Sequence, residues 1–453
     1  LNEKAAQLSQ QWGLDVKNSL AGERKGEKIE SNSWFTIVKH KQVLITNDSL
    51  DLPLKVHIEK ELTRARHIRL YPTTSQQETL RKWFGTQRYV YNRALKLHHE
   101  GQPMNIKTLR QMLINKDINI LEPHEQWLKE YNYDLKSEAL RDLVKNYSSN
   151  MARYKSTGTP FKLKFKSEKA KTQSLSVLKK YWNNKKSFYS DVFSSTKMRS
   201  AEKLPEQLLM DSRLQRTRHN HFYLIVPMVG EEIARDEGRE KFIFIDPGVR
   251  TFLTGYDSGQ NVVEIGKNAV VRTEKLKHRR RKLQSKLAKL KTHKKRQNHR
   301  KALHRLDEKI SRILSDMHKK SALCLCKSYE TVFIPKLNFH QCTKLNRKSR
   351  SSMATMAHCS FNDRVVMKAE QLRGTSVIVV EEDYTSKTCS KCGNIKKDLG
   401  SNKIYSCVSC FSVFDRDFNA AKNIMLKYCC EHLMTSDASS VPLPLVERVR
   451  GSP

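Results

Sequence analysis

The stretch "CSKCGNIKKDLGSNKIYSCVSCFSVFDRDFNAAKN", residues 389–423, sets two cysteine pairs directly ahead of two aspartates. Cys389-x2-Cys392 and Cys407-x2-Cys410, 14 residues apart, have the spacing of a four-thiolate zinc ribbon, each pair on a tight knuckle turn. Gly393 follows the first pair, where a residue able to take φ > 0 is useful. Four thiolates leave no open coordination position, so the Zn²⁺ expected here is structural. The ribbon is therefore not the reactive centre. Asp415 and Asp417, opening a small-residue helical pattern, belong to other chemistry.

Two further segments carry candidate partners for those acids. In "KFIFIDPGVRTFLTGY" (241–256) an apolar strand ends in Asp246, and Pro247 and Gly248 turn the chain into a second strand. A carboxylate at the end of a buried strand is costly unless it is ligated or hydrogen-bonded. In "SVIVVEEDY" (376–384) another strand ends in Glu381 and Glu382. Three carboxylates from distant segments suit hard-cation phosphoryl chemistry, with a pair of Mg²⁺ ions activating water and stabilising the leaving oxygen. Taken singly, Asp246 also reads as a turn cap and Asp417 as a helix cap.

Charge narrows the partner. Lys and Arg total 85 against 47 Asp and Glu, a net +38 on 453 residues. An excess of this size calls for a polyanion, and nucleic acid fits better than an anionic membrane, because no run of about 18 apolar residues occurs. The N-terminus lacks a basic-then-apolar signal pattern, and ten cysteines in this length suit a reducing compartment with a metal site. An intracellular location is expected, nuclear in a eukaryotic host.

Along the chain, residues 1–55 read as a polar extension, with strands suggested in "KQVLITNDSLDLPLKVHIEK". Ser75 and Glu78 suggest a capping box, and Gly85 a break between two helical segments. Residues 100–155 read as helical. "FKLKFK" (161–166) alternates apolar residues with Lys162, Lys164 and Lys166, the pattern of a half-buried strand whose outer lysines could face nucleic acid. Residues 267–334 contain no Gly or Pro and read as two long amphipathic helices parted near "KTHKKRQNH". Within them residues 271–320 hold 20 Lys/Arg against 4 Asp/Glu, a self-repelling run best explained by phosphates lying alongside Arg279, Arg280, Arg281 and Lys282.

"IDPGVRTFLT", "YTSKTCSKCG" and "DRDFNAAKNI" resemble the RuvC-like nuclease of transposon-encoded TnpB proteins, of their eukaryotic relatives the Fanzors, and of type V CRISPR effectors. "RLYPTTSQQETLRKWFGTQRYVYNRAL" and "FKSEKAKTQSLSV" resemble the N-terminal half of the same family, so the likeness spans about residues 60–430. It implies an α/β and β multidomain protein. A wedge-type β-barrel would occupy 56–240, with a helical recognition insertion at about 74–155. An RNase H-like (RuvC) core would follow at 241–388, then the zinc ribbon at 389–410, a third nuclease motif at 411–430 and a tail at 431–453. The implied activity is Mg²⁺-dependent, RNA-guided DNA cleavage. Its partners would be an omega-type guide RNA, double-stranded DNA beside a short adjacent motif, and the displaced single strand.

Carried over, the resemblance makes Asp246 the first catalytic acid and Asp417 the third, all of the acids binding Mg²⁺. The second departs from the usual pattern: in "TVFIPKLNF" Pro335 stands where most TnpB proteins have glutamate. Glu382 occupies the alternative place used by Fanzors, and strand alternation lets only one of Glu381 and Glu382 face inward. Glu382 is the choice, with Glu381 in reserve. Pro335 also keeps a catalytically inactive RNA-guided binder in view, and the acids alone would suit a DNA transposase acting without RNA. Neutralising Arg279, Arg280, Arg281 and Lys282 together is expected to weaken binding of all DNA sequences alike. The slope of log K against log salt should flatten by about 0.9 for each phosphate no longer neutralised, and an unchanged slope returns these residues to a merely solvated face.

Overall fold

A computed structural model of the chain describes residues 27–31, 35–40, 63–114, 123–183, 187–188, 198–229, 238–336, 347–372, 375–400 and 402–432. It comprises two compact units, Glu61–Gly230 and the remainder, Leu1–Lys60 with Glu231–Pro453. Among the described residues, the first elements of the larger unit are the hairpin strands β1 (Glu27–Ser31) and β2 (Thr36–His40). The strands suggested at 41–60 lie outside the described residues. No described helix is long and apolar enough to cross a membrane.

In the smaller unit β3 (Thr63–Tyr71) leads into α1 (Thr74–His99), α2 (Ile106–Leu113) and α3 (Tyr133–Thr157). Then come β4 (Thr172–Val177), the two-residue strands β5 (Trp182–Asn183), β6 (Ser187–Phe188) and β7 (Arg199–Ser200), β8 (Ser212–Thr217) and β9 (Phe222–Val229). Five of the strands form an antiparallel sheet of order β4-β8-β9-β3-β7, and the described pairings do not include its closure into a barrel. Ile68, Leu80, Phe84 and Leu224 pack as one core, and Val90, Ala94, Leu140 and Leu143 join the helices in another.

Three local features differ from the sequence expectation. The capping box belongs to Thr73 and Gln76, two residues earlier than Ser75 and Glu78. Helix α1 runs unbroken through Gly85, because Leu80, Trp83 and Phe84 before it and Val90 and Ala94 after it all bury on one helix. That packing outweighs the weak helix propensity of one glycine. Residues 161–166 form no strand: the Asn92 side chain bonds both backbone groups of Lys166, at 2.7 and 2.9 Å, in place of a ladder partner.

The larger unit is built on a seven-stranded mixed sheet. Its strands β10 (Glu240–Pro247), β11 (Leu253–Asp257) and β12 (Val262–Ile265) are antiparallel neighbours. Helices α4 (Lys267–Lys289) and α5 (His293–Ser328), parted at 290–292 as expected, lead to β13 (Tyr329–Pro335), which pairs parallel to β10. Then α6 (Arg347–Met356) and α7 (His358–Leu372) lead to β14 (Ser376–Val380), parallel to β13. The hairpin β15 (Ile404–Ser406) and β16 (Val413–Asp415) precedes α8 (Arg416–His432). The full order is β1-β2-β12-β11-β10-β13-β14. Alternation along each strand divides the core. Ile243, Ile245, Val332, Ile334 and Val377 face the side of α5 and α7, while Phe242, Phe244, Phe333, Ile378 and Val380 face α8.

The N-terminal hairpin is part of this core. β2 pairs with β12 from Ile37↔Ile265 to His40↔Val262, and Phe35 and Ile37 are buried. Lys39 reaches across to Glu240 at 3.0 Å and to Asp257 at 3.3 Å, the latter side chain being fully buried. Asn261 donates to Asp257 from its backbone and side chain, and Tyr329 donates its hydroxyl. Burial pushes the Asp257 carboxyl up, and the Lys39 charge opposes that shift. Lys39→Met is expected to cost about 3 kcal/mol, because it strands a buried charge. The double variant with Asp257→Asn should recover more than half of that loss in denaturant titrations, and strictly additive losses would contradict the coupling.

Candidate carboxylate centre and metal-binding ribbon

Asp246 sits two residues beyond Phe244 on β10, so it lies on the α8 side of the sheet. The turn that follows is tight: Gly248 N–H donates to Phe252 O at 3.1 Å, and a Cβ at Gly248 would lie 2.5 Å from the Thr251 carbonyl oxygen. On β13, Pro335 has the parity of Phe333, which stacks on Phe244 with ring centroids 3.9 Å apart. A residue at 335 is therefore on the carboxylate side, and the proline there offers no ligand. One strand further, Ile378 and Val380 of β14 face α8, and Glu382 continues that parity past the strand end. Glu382 is half-buried, with its carbonyl held by the Thr385 hydroxyl at 2.8 Å. Glu381 is exposed and pairs with Lys336 at 3.4 Å.

Asp417 lies in the first turn of α8. Its neighbour Asp415 accepts from the backbone N–H groups of Asp417 and Phe418, at 3.0 and 3.4 Å, and pairs with Lys403 at 3.0 Å. Asp415 is thus the helix cap, which leaves the Asp417 carboxylate for other work.

Asp246 senses both of the other acids. Burial pushes the Asp246 carboxyl well above its usual range, and Asp417 and Glu382 push it further. Glu382 is raised to about 7 by burial, then by Asp383 and Glu381, against the pull of Lys427. Asp417 is raised by burial and Asp415, opposed by Arg416, Lys403 and Arg250. A group of carboxylates held this way binds protons in the absence of a cation and can exchange them for hard divalent ions. Their oxygens are not all within 4.8 Å of one another. A pair of ions about 3.5–4 Å apart would tolerate that spread.

The ribbon meets the test for a tetrahedral thiolate site. The four sulfurs of Cys389, Cys392, Cys407 and Cys410 lie within 4.8 Å of one another, with Cys389–Cys410 at 3.7 Å and Cys392–Cys407 at 3.5 Å. Metal–sulfur bonds of about 2.3 Å in a tetrahedron place sulfurs about 3.8 Å apart. Two buried asparagines, not singled out in the sequence, tie this ribbon to α8. Asn419 accepts from Ser390 N–H at 2.9 Å and donates to Thr388 O at 2.7 Å. Asn423 donates to the carbonyls of Thr385 and Thr388 at 2.8 and 2.6 Å. Their spacing of four on one helix face, among alanines, is the signal that was available.

The basic candidates divide. On α4, Arg279, Arg281 and Lys282 are exposed, but Arg280 pairs with Asp307 of α5 and fastens the two helices. Lys162 and Lys164 are exposed, whereas Lys166 is drawn inward over the Tyr91 ring at 4.0 Å and towards Asp142 at 3.9 Å. The expected row of three outward lysines is corrected to two, because 161–166 lacks the strand alternation assumed for it.

Comparison with known proteins places these features in a family context. Residues 62–100 match the helix-turn-helix domain of IS605 OrfB proteins, 225–346 the IS605 OrfB probable transposase family, and 358–424 the Cas12f1-like TNB domain. A TnpB-like protein of Acanthamoeba polyphaga mimivirus is 28% identical over 79% of this chain and 72% of its own length. A CRISPR-associated endodeoxyribonuclease Cas12f1 of Sulfoacidibacillus thermotolerans is 38% identical over 15% of this chain and 16% of its own. A Cas12f1 solved with its guide RNA and target DNA aligns with a TM-score of 0.43 at 16% identity, covering 78% of this chain and 83% of that one.

Because its folded pKa is raised, the Glu382 side chain holds its proton more tightly in the fold than in the unfolded chain. Its contribution to stability is whole below about pH 4.5 and is lost as pH rises to about 7. In zinc-containing, Mg²⁺-free buffer, Glu382→Gln is expected to be more stable than the parent at pH 8, on the order of 2 kcal/mol, and equal to it near pH 4.5. A variant less stable than the parent at pH 8 would contradict the crowding of charge inferred here.

Proposed function

We propose that this chain, which belongs to the TnpB-like proteins related to the IS605 OrfB transposases, is an RNA-guided, divalent-metal-dependent DNA endonuclease with a RuvC-type site. The observation that carries the reading is the shared parity of Asp246 and Glu382 on one sheet face, with Asp417 electrostatically coupled to Asp246 at the same centre. The strand order supports an RNase H-like core: three antiparallel strands, β10 to β12, extended by the parallel strands β13 and β14.

Asp246, Glu382 and Asp417 would hold two Mg²⁺ ions, which when bound supply an activated water and charge neutralisation at the leaving oxygen. The chain's own part is to fix the three carboxylates and to bring cations to them. Arg250, Lys403 and Arg416 act electrostatically on Asp417 and are suited to receive a phosphodiester. Glu382 takes the role that Pro335 cannot fill, as in the Fanzor arrangement. Cys389, Cys392, Cys407 and Cys410 would hold a structural Zn²⁺, leaving the ribbon to brace α8 and with it Asp417. Exposed Arg279, Arg281, Lys282, Lys162 and Lys164 would meet phosphates of guide RNA and target DNA, and base pairing would read the sequence.

Pro335 favours one second reading, a guide-carrying binder that has lost its chemistry. Plasmid cleavage with reprogrammed co-purified RNA decides between them. The parent is expected to cut beside its adjacent motif. Glu382→Gln should lower the rate at least 100-fold while RNA and target binding persist, and Glu381→Gln should leave it within a few-fold. Loss with Glu381→Gln alone would shift the register by one, and a parent that binds without cutting would establish the binder. Absence of any specific RNA would point to a transposase working without one.

A further inference from the structure

The two knuckles of the ribbon are built alike. Cys389 N–H donates to Asn394 O at 2.9 Å, and Cys407 N–H donates to Ser412 O at 2.9 Å, closing the same span in each. The residue after the second cysteine is left-handed in both, Gly393 at φ 74° and Phe411 at φ 57°. Glycine takes that conformation freely, whereas a residue with a Cβ takes it against a steric penalty. The Phe411 ring gains nothing inside the fold to offset this, since it is 80% exposed. Its neighbours Phe414 and Phe418 are both buried, so the core has its aromatic residues already. A bulky residue where the turn asks for glycine, pointing outward, indicates work done outside the fold.

The surroundings indicate what kind. Val408 and Val413, within three residues of Phe411 in the chain, are exposed as well. Between residues 384 and 413 the ribbon carries five lysines against one acid, Asp398, and Lys387, Lys391 and Lys397 are exposed. Phe411 lies six residues before Asp417. A protruding aromatic face among lysines, held on a stapled knuckle that loses little freedom on binding, suits a nucleobase with phosphates on either side. Among the described residues, Tyr384 is the other exposed aromatic residue with positive φ, at 65°. It follows Glu382 by two residues, so a change there would disturb the carboxylates as well.

We propose that Phe411 is a base-stacking residue whose ring takes an unpaired nucleobase of the strand delivered to the carboxylate centre. The proposal rests on the nuclease reading for the origin of that strand, and stacking itself needs no cleavage. The test uses the full chain in zinc-containing, Mg²⁺-free buffer with a short oligothymidylate carrying one 2-aminopurine, whose fluorescence is quenched by stacking. Phe411→Gly is expected to bind about 5- to 100-fold more weakly and to lose the quench. Phe411→Trp should retain both, and zinc content and thermal midpoint of the glycine variant should equal or exceed the parent's. Unchanged binding and quench overturn the proposal. So does loss of zinc or a lower midpoint in Phe411→Gly, which would make the ring structural. A change of oligomeric state by light scattering with oligonucleotide binding intact would mark a protein contact and also overturn it. A parent that binds and quenches but never cuts with Mg²⁺ removes the nuclease reading and leaves stacking standing; a parent that cuts while Phe411→Gly behaves identically does the reverse.

Discussion

Like charges gathered at one end of a sheet face repel, and this repulsion sets the conditions for the rest of the larger unit. Asp246 is raised by Asp417 and Glu382 as well as by burial, so the centre is electrostatically unsatisfied without cations. Arg250, Lys403 and Arg416 lower the Asp417 carboxyl, and Lys427 does the same for Glu382. These side chains offset part of the burden. Protons take up more of it, which is why the carboxyls lie above their ordinary range. On the proposed reading, such a site would trade stability for the capacity to bind divalent cations.

Holding the charges together requires a rigid frame, and two polar devices supply it from different directions. At the start of β10, Lys39 joins the N-terminal hairpin to Glu240 and to buried Asp257. Near its other end, Asn419 and Asn423 fasten α8 to the ribbon segment 385–390, and the Asp415 cap fixes the helix start beside Asp417. This explains why a stapled knuckle stands directly ahead of two carboxylates. Its cross-links run to the helix that carries one of them.

Short-range chemistry was the most legible part of the sequence. Cys-x2-Cys spacing is a local constraint, and the four sulfurs do converge. Alternation alone left both Glu381 and Glu382 open, and the parity of Ile378 and Val380 sets Glu382 on the α8 side of the sheet. Features that depend on distant partners were hidden. Nothing local in "FKLKFK" reveals that Asn92 takes both backbone groups of Lys166 and turns its side chain inward. Arg280 looked like its neighbours until Asp307, 27 residues away, claimed it. The N-terminal hairpin was obscured because β2 finds its partner in β12, more than 220 residues later. The displaced capping box is a two-residue register slip between Thr73 and Ser75, settled only by which side chain reaches the N3 amide.

The most direct measurement of the central arrangement is anomalous diffraction from crystals soaked with Mn²⁺ as a substitute for Mg²⁺. Peaks bridged by the carboxylates of Asp246, Glu382 and Asp417, with Glu381 still turned towards Lys336, are the expected result. Peaks ligated by Glu381, or Mn²⁺ bound elsewhere while these three carboxylates stay unligated at saturating concentration, would contradict it.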